Sequence, residues 1–279
     1  MKFLAKLTKI WAYLSIFLVG AVIAFLFAYI FYRGSSVISW DFVSQSPSGA
    51  VLGSEGGIWP AIAGSIWFTA VAVILGGVPA IATAIYTVFY CRNKKLVNFI
   101  HSVVQSIAGN PSIVLGLFSY SLLVRTLGWN RCILAGGVAL AIMILTFIQV
   151  RAEKAMRELP PDLVRASYAL GCSRAYTISH IVMPAVRGEL VSGIILGACF
   201  AMGATAPLIF TGGVAFAAAP TSVTSPAMAL PLHLYLLLAQ GTSMPQAYGT
   251  AFVLMVIVLL SNTIATLYAR RRKGKWKRS

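Results

Sequence analysis

From Leu190 to Ala269 the chain carries not one Asp, Glu, Lys or Arg. A surface facing water needs charge at shorter intervals than this, so the stretch belongs largely in lipid. It is too long for one crossing of a ~30 Å hydrocarbon core, which takes about 20 residues in a helix. Thr211-Gly212-Gly213, Pro220, Pro226, Pro231 and Pro245 must therefore break it. The rest of the chain follows the same rule. Apolar blocks of membrane length lie at roughly 10–32, 58–90, 96–124, 132–150, 190–210 and 246–269. They predict six transmembrane helices in an all-α integral membrane protein. Strands are not expected, because the blocks lack two-residue alternation.

The first block follows Lys2, Lys6 and Lys9, as the apolar core of a signal peptide would. Its run is too long for that and no cleavage site follows, so 1–32 reads as a basic segment and a first membrane helix. Residues 33–57 are Ser/Gly-rich and read as a loop outside the cytoplasm. Residues 58–269 form one membrane domain, with connecting loops at 151–189 and 211–245, and 270–279 is a basic tail. Ala229–Gln240 is expected to form a short interfacial helix within the second of these loops. No fixed internal repeat interrupts this plan.

A net charge of +16 would suit nucleic acid, but its placement argues otherwise. All but three of the 22 basic residues fall before the first helix, between the second and third, between the fourth and fifth, or after the sixth. The other side holds Arg33, Arg125 and Arg131 alone. This asymmetry puts both termini in the cytoplasm. The basic tail is expected to touch anionic membrane lipid. Cys91, Cys132, Cys172 and Cys199 are scattered, and His101, His180 and His233 stand alone. No zinc site can be assembled from them at ordinary ligand spacing.

Two apolar blocks are interrupted. Gly109-Asn110-Pro111-Ser112 sits in the third, with Asn110 suited to an N-cap and Pro111 to a first helical position. Gly203-Ala204-Thr205-Ala206-Pro207 sits in the fifth. Such interruptions pack as kinks or expose a new helix N-terminus to an anion. Pro79 is expected to kink the second helix. Between the fourth and fifth helices, Pro160-Pro161 and Asp162 open a short helix that Gly171 closes. A second helix starts at Ser173 and runs to Met183, where Pro184 marks an end or kink. Leu163, Ala166 or Ser167, and Leu170 are expected on one face of the first helix. This element reads either as an amphipathic surface loop or as a handle for a partner.

Its residues resemble a motif of ATP-binding-cassette (ABC) importer permeases, E-A-A-x3-G-x9-I-x-L-P. Here it reads Arg165-Ala166-Ser167, Gly171, Ile181, Met183 and Pro184, so Arg and Met replace the usual Glu and Leu. Longer stretches are similar to the PstA-type phosphate importer permeases, in order from about residue 50 onward. They are Gly56–Ser65, Ala108–Phe118, Val150–Arg174, Ala204–Gly213 and Ser225–Tyr235. The resemblance implies a type I importer permease fold and a heterodimer with a PstC-like sister permease. It also implies two PstB-like ATPases beneath, which would bind ATP and magnesium, and a PstS-like phosphate-binding protein outside. Leu163, Arg165, Ala166, Ser167, Leu170, Gly171 and Pro184 would couple to the ATPase. Asn110, Pro111, Ser112, Arg151, Thr205 and Pro207 would line the substrate path. The family usually reads G-E-T-A-P in the fifth helix, with an Arg three residues before that Gly. This chain has Ala204 for the Glu and Phe200 for the Arg.

Other classes fit less well. A secondary transporter would need membrane carboxylates for ion coupling, and the first three helices and the last two carry none. An intramembrane enzyme would need a Ser–His, Asp–Asp or metal set. Nothing resembles a phosphate-cradling ATPase loop, so the chain is expected to hold no cofactor and to catalyse nothing itself. Within the permease class, molybdate, tungstate, sulfate and phosphonate remain alternatives to phosphate.

Overall fold

The computed structural model describes residues 2–49 and 51–276. It is helical almost throughout. Helix α1 (Lys2–Gly34) leads to a single turn, α2 (Trp40–Ser44), and to a hairpin of two-residue strands, β1 (Pro47–Ser48) and β2 (Glu55–Gly56). The long helix α3 covers Trp59–Tyr90. Helices α4 (Lys94–Gly109) and α5 (Ser112–Thr126) follow, bent by 102° at the break between them. Then come α6 (Ile133–Arg157), α7 (Pro161–Ala169), α8 (Arg174–Gly203) and α9 (Ala206–Thr211). Helices α10 (Leu230–Gln240) and α11 (Met244–Trp276) complete the described residues. Five of these helices are long and apolar enough to cross a membrane, and the bent pair α4–α5 makes a sixth crossing if it is one span.

Helix α6 is the centre of the bundle, with α3, α8 and the short α9 packed around it. Glycines let the backbones approach where no hydrophobic effect drives them together. A methyl group on Gly76 of α3 would come within 2.7 Å of the Ala141 carbonyl of α6, and one on Gly197 of α8 would touch Ile148 at 3.0 Å. Helix α1 lies apart. Among the described residues it packs chiefly on α11, where Gly34 lies against Gly249 and Phe31 meets Phe252 with ring centroids 5.0 Å apart.

Prolines leave a regular mark. Pro79 and Pro184 both sit inside continuous helices, and each is immediately preceded by a π-helical turn, Val73–Gly77 and Ile178–Val182. A proline removes one helical N–H and crowds the carbonyl four residues back, and a wider turn relieves both. Pro184 therefore ends nothing. The helix expected to stop at Met183 runs on to Gly203.

The segment expected as a loop before α3 is folded instead. Ser39 caps α2 through a 3.1 Å bond from the Phe42 amide, and Phe42, Leu52 and Ile58 are buried against Met228, Leu230 and Leu237. Helix α10, expected as a short interfacial helix, is packed on one face, while Tyr235 and Leu238 on the other are exposed. Leu230, Leu232, His233 and Leu237 face inward, and the Ser65 hydroxyl accepts the Leu230 amide at 2.8 Å. Arg131 anchors this end of the molecule by donating to the carbonyls of Ile209 (2.6 Å) and Gly213 (2.7 Å). That satisfies acceptors left over at the end of α9. The side chains of the tail 270–279 lie outside the described residues.

Candidate functional site

Both sequence interruptions are real helix breaks, and the structure packs their far sides together. The α4 helix ends at Gly109, and Asn110 is its C-cap, its side-chain amide donating to the Ser106 carbonyl at 2.7 Å. Pro111, extended at ψ 137°, is the N-cap of α5. The expected assignment of Asn110 to the N-cap and Pro111 to the first turn is thus shifted by one residue. An amide that can reach back to a carbonyl four residues earlier serves the outgoing helix better than the incoming one. At the second break, Ala204 is the C-cap of α8, Thr205 precedes α9, and Pro207 lies in its first turn. A Cβ on Gly116 of α5 would stand 2.7 Å from the Pro207 Cα and 3.3 Å from the Ala206 carbonyl. The two restarted helices therefore touch backbone to backbone.

Arg151 is elsewhere. It borders a cavity of about 560 Å³ with Thr146, Phe147 and Lys154 of α6, Ala108 of α4 and Glu189 of α8. Its Cβ lies against Gly193 of α8. Thr205 is twelve residues further along, about 18 Å at helical rise. Arg151, on the one hand, and Thr205 and Pro207, on the other, are thus separate stations along the bundle. Ser112 and Thr205 are half-buried and Asn110 is exposed. Phe200 stacks on Phe147 with centroids 5.6 Å apart, and Ala204 packs against the central core. The positions where the resembling family carries charge are here filled with apolar contact.

The connection between α6 and α8 is a tight helical hairpin. Gly171 has φ +80°, the left-handed conformation that lets α7 close and turn back, and its amide bonds the Tyr168 carbonyl at 3.0 Å. Ser173 caps α8 by accepting the Tyr176 amide at 3.2 Å. Ser167 is buried and meets Thr177 through their hydroxyls at 2.8 Å. Of the residues expected on one face of α7, Leu163 is half-buried and Ser167 buried, while Ala166 and Leu170 are exposed. Ser167 fastens the hairpin to itself, while Arg165, Ala166 and Leu170 point outward, with Leu170 83% exposed. Pro184 is exposed, inside α8.

Just above this hairpin lies a node that sequence reading did not single out. Glu153 of α6 is 6% exposed. Arg157 donates Nε to its Oε1 at 2.9 Å and brings Nη2 within 2.7 Å. His101 of α4 contacts both carboxylate oxygens at 2.9 and 3.1 Å. Gln149 donates to Oε2 at 2.7 Å, and the Thr87 hydroxyl of α3 lies 3.2 Å from the same oxygen. A buried carboxylate is stable only when so surrounded. One side chain thereby ties α3, α4 and α6 together where the hairpin begins. The other histidines are placed without metal partners: His180 stacks on Tyr176 and His233 is buried in α10. Among the described residues no group of His, Cys, Asp and Glu could hold a metal ion.

A family described as the binding-protein-dependent transport system inner membrane component matches residues 80–274, which include the breaks, the node and the hairpin. The chain belongs to the ABC importer permeases. Within that group it is 34% identical to a probable phosphate transport system permease protein PstA of Methanocaldococcus jannaschii, over 74% of this chain and 73% of that one. It is 28% identical to a probable ABC transporter permease, YqgI, of Bacillus subtilis, over 89% of each chain. The permease fold also matches a subunit of a bacterial alginate ABC transporter, solved in complex with a periplasmic protein carrying an alginate pentasaccharide. The TM-score is 0.65 at 14% identity, over 92% of this chain and 94% of that one. Permeases of this family are membrane components that do not catalyse a reaction themselves.

Proposed function

We propose that this permease carries inorganic phosphate inward through the bundle, paired with a PstC-like sister permease. The contact of Gly116 with Pro207 carries the reading. It sets two interrupted helices side by side, where backbone groups freed at the breaks can face a desolvated anion. Arg151, at the cavity nearer the basic end, would be a second station for the anion. Asn110, Pro111, Ser112, Thr205 and Pro207 would line the first. The phosphate assignment is supported by relatives named as phosphate permeases. The basic end is taken as cytoplasmic, with both termini there and the loop 211–245 outside.

The α7–α8 hairpin is the proposed coupling element for two PstB-like ATPases, which would bind ATP and magnesium. Leu163, Arg165, Ala166, Ser167, Leu170, Gly171 and Pro184 are its residues. Ser167 would act by stiffening the hairpin and Leu170 by entering the ATPase surface. Gly171→Asp is expected to leave the permease in the membrane and to abolish transport, because a side chain at φ +80° strains the turn and a new acid meets the partner. Full transport with the ATPase still co-purifying would remove the coupling assignment.

The substrate is tested in proteoliposomes holding both permeases and the ATPase. A PstS-like binding protein is added empty, then loaded with phosphate, sulfate or molybdate. ATPase stimulation by the phosphate-loaded protein alone is the expected result. Stimulation by another oxyanion would keep the permease and move the substrate, and Phe200 and Ala204 would be the first positions to explain it.

A further inference from the structure

A groove of about 480 Å³ opens between the last turns of α3 and α6 and the hairpin helix α7. Its walls are apolar: Val88 and Phe89 from α3, Met156 and Leu159 at the end of α6, and Val164 from α7. Three guanidinium groups border it, Arg157, Arg165 and Arg174, and no acidic residue is among its lining. Arg157 is already engaged by Glu153. Arg165 approaches Asp162 only at 3.9 Å, with both side chains largely exposed, a geometry that holds little. Arg174 lies over the Tyr90 ring, its Cζ 5.3 Å from the centroid, which holds the guanidinium at the mouth.

We propose that this groove binds the phosphate-bearing headgroup of an anionic phospholipid, with the start of an acyl chain along the apolar wall. Guanidinium pairs phosphate through two parallel hydrogen bonds, and Arg165 and Arg174 are the two not tied to a buried acid. Basic pockets at the ends of membrane helices suit such headgroups. The groove lies where two membrane-length helices end, α3 at Tyr90 and α6 at Arg157, so apolar wall and arginines meet at one end of the bundle. A free phosphate ion would use the arginines and leave Val88, Phe89, Met156, Leu159 and Val164 bare, so the lining favours a lipid over an ion. Because α7 forms one side, an occupant would brace the hairpin against α3.

The test counts phospholipids retained by the full permease, purified with its partner subunits in detergent, by native mass spectrometry. The wild type is expected to hold phosphatidylglycerol in preference to phosphatidylcholine. Arg174→Gln is expected to lower the retained phosphatidylglycerol about fivefold and Arg165→Gln with Arg174→Gln about twenty-fivefold, at about one basic contact each. Arg174→Lys should keep most of it, which separates charge from folding. Equal retention by wild type and Arg174→Gln overturns the proposal. So does loss of inorganic phosphate binding in Arg174→Gln with lipid unchanged, which would give the groove to the free ion. If Arg174→Gln sheds the ATPase while holding its lipid, the groove belongs to the ATPase and the proposal fails. Should no variant fold, a wild type that retains both lipids alike also refutes it.

Discussion

Glu153→Leu is expected to destabilise the permease by about 3 kcal/mol, the lower end of the cost of breaking a buried ion pair. The carboxylate is 6% exposed, and its removal strands Arg157, His101 and Gln149 around an apolar side chain. The lower end applies because the Arg157 side chain is 50% exposed and can turn to water. Thermal denaturation in detergent reads the change as a lower midpoint. The sign reverses when the whole set is replaced. Glu153→Leu with His101→Leu and Arg157→Met should recover much of the loss, since no charge is then left without its counterion. A Glu153→Leu single variant that melts with the wild type would show that the node holds nothing. Transport should fall further than stability does. The node joins α3, α4 and α6 immediately before α7, so a loosened α6 end would let the hairpin move without moving the spans.

The sequence made some of this legible and concealed the rest, for reasons that lie in particular residues. Apolar blocks and basic flanks located the spans, because lipid imposes a length and an inner leaflet attracts charge. Gly109-Asn110-Pro111 and Ala204–Pro207 announced the breaks, since no other local chemistry interrupts a helix so plainly. What the breaks do was less visible. Asn110 can cap either way, and only the distance to the Ser106 carbonyl chooses. Pro184 could have marked an end or a kink, because a π-turn has no sequence signature, and such a turn let the helix run on through it. Phe42 and Leu52 lie in a Ser/Gly-rich segment, and their burial depends on Leu230 and Leu237, far along the chain. Glu153 had a signal that went unread. Gln149, Glu153 and Arg157 are spaced by four on one face of an apolar helix, which marks a charge that must be satisfied inward. Its partners His101 and Thr87 are 52 and 66 residues away and could come only from the fold.

Gly116→Val should be the most damaging change at the meeting of the two breaks. Even a methyl group there lies 2.7 Å from the Pro207 Cα, and backbone cannot yield as a side-chain tip can. Forcing extra carbons into a packed contact costs about 1–3 kcal/mol. Here the strain has an outlet, because α5 hangs from a 102° bend and can swing away from α9. Stability should then fall by less than the full amount, while the geometry proposed to receive the anion is lost. The expected result is a permease that reaches the membrane and binds its partners yet transports at a small fraction of the wild-type rate. Gly109→Ala is the matched control: a Cβ there meets nothing within 4 Å, and alanine suits a helix better than glycine. Uptake of radiolabelled phosphate, normalised to permease in the membrane, compares the two. Near-normal uptake by Gly116→Val would mean that the contact between α5 and α9 is ordinary packing, and the path would have to run along another face of α6. A defect equal in both variants would place the fault in the bend rather than in the contact. Loss confined to Gly116→Val would identify the restarted helices as the part of the bundle that the anion must pass.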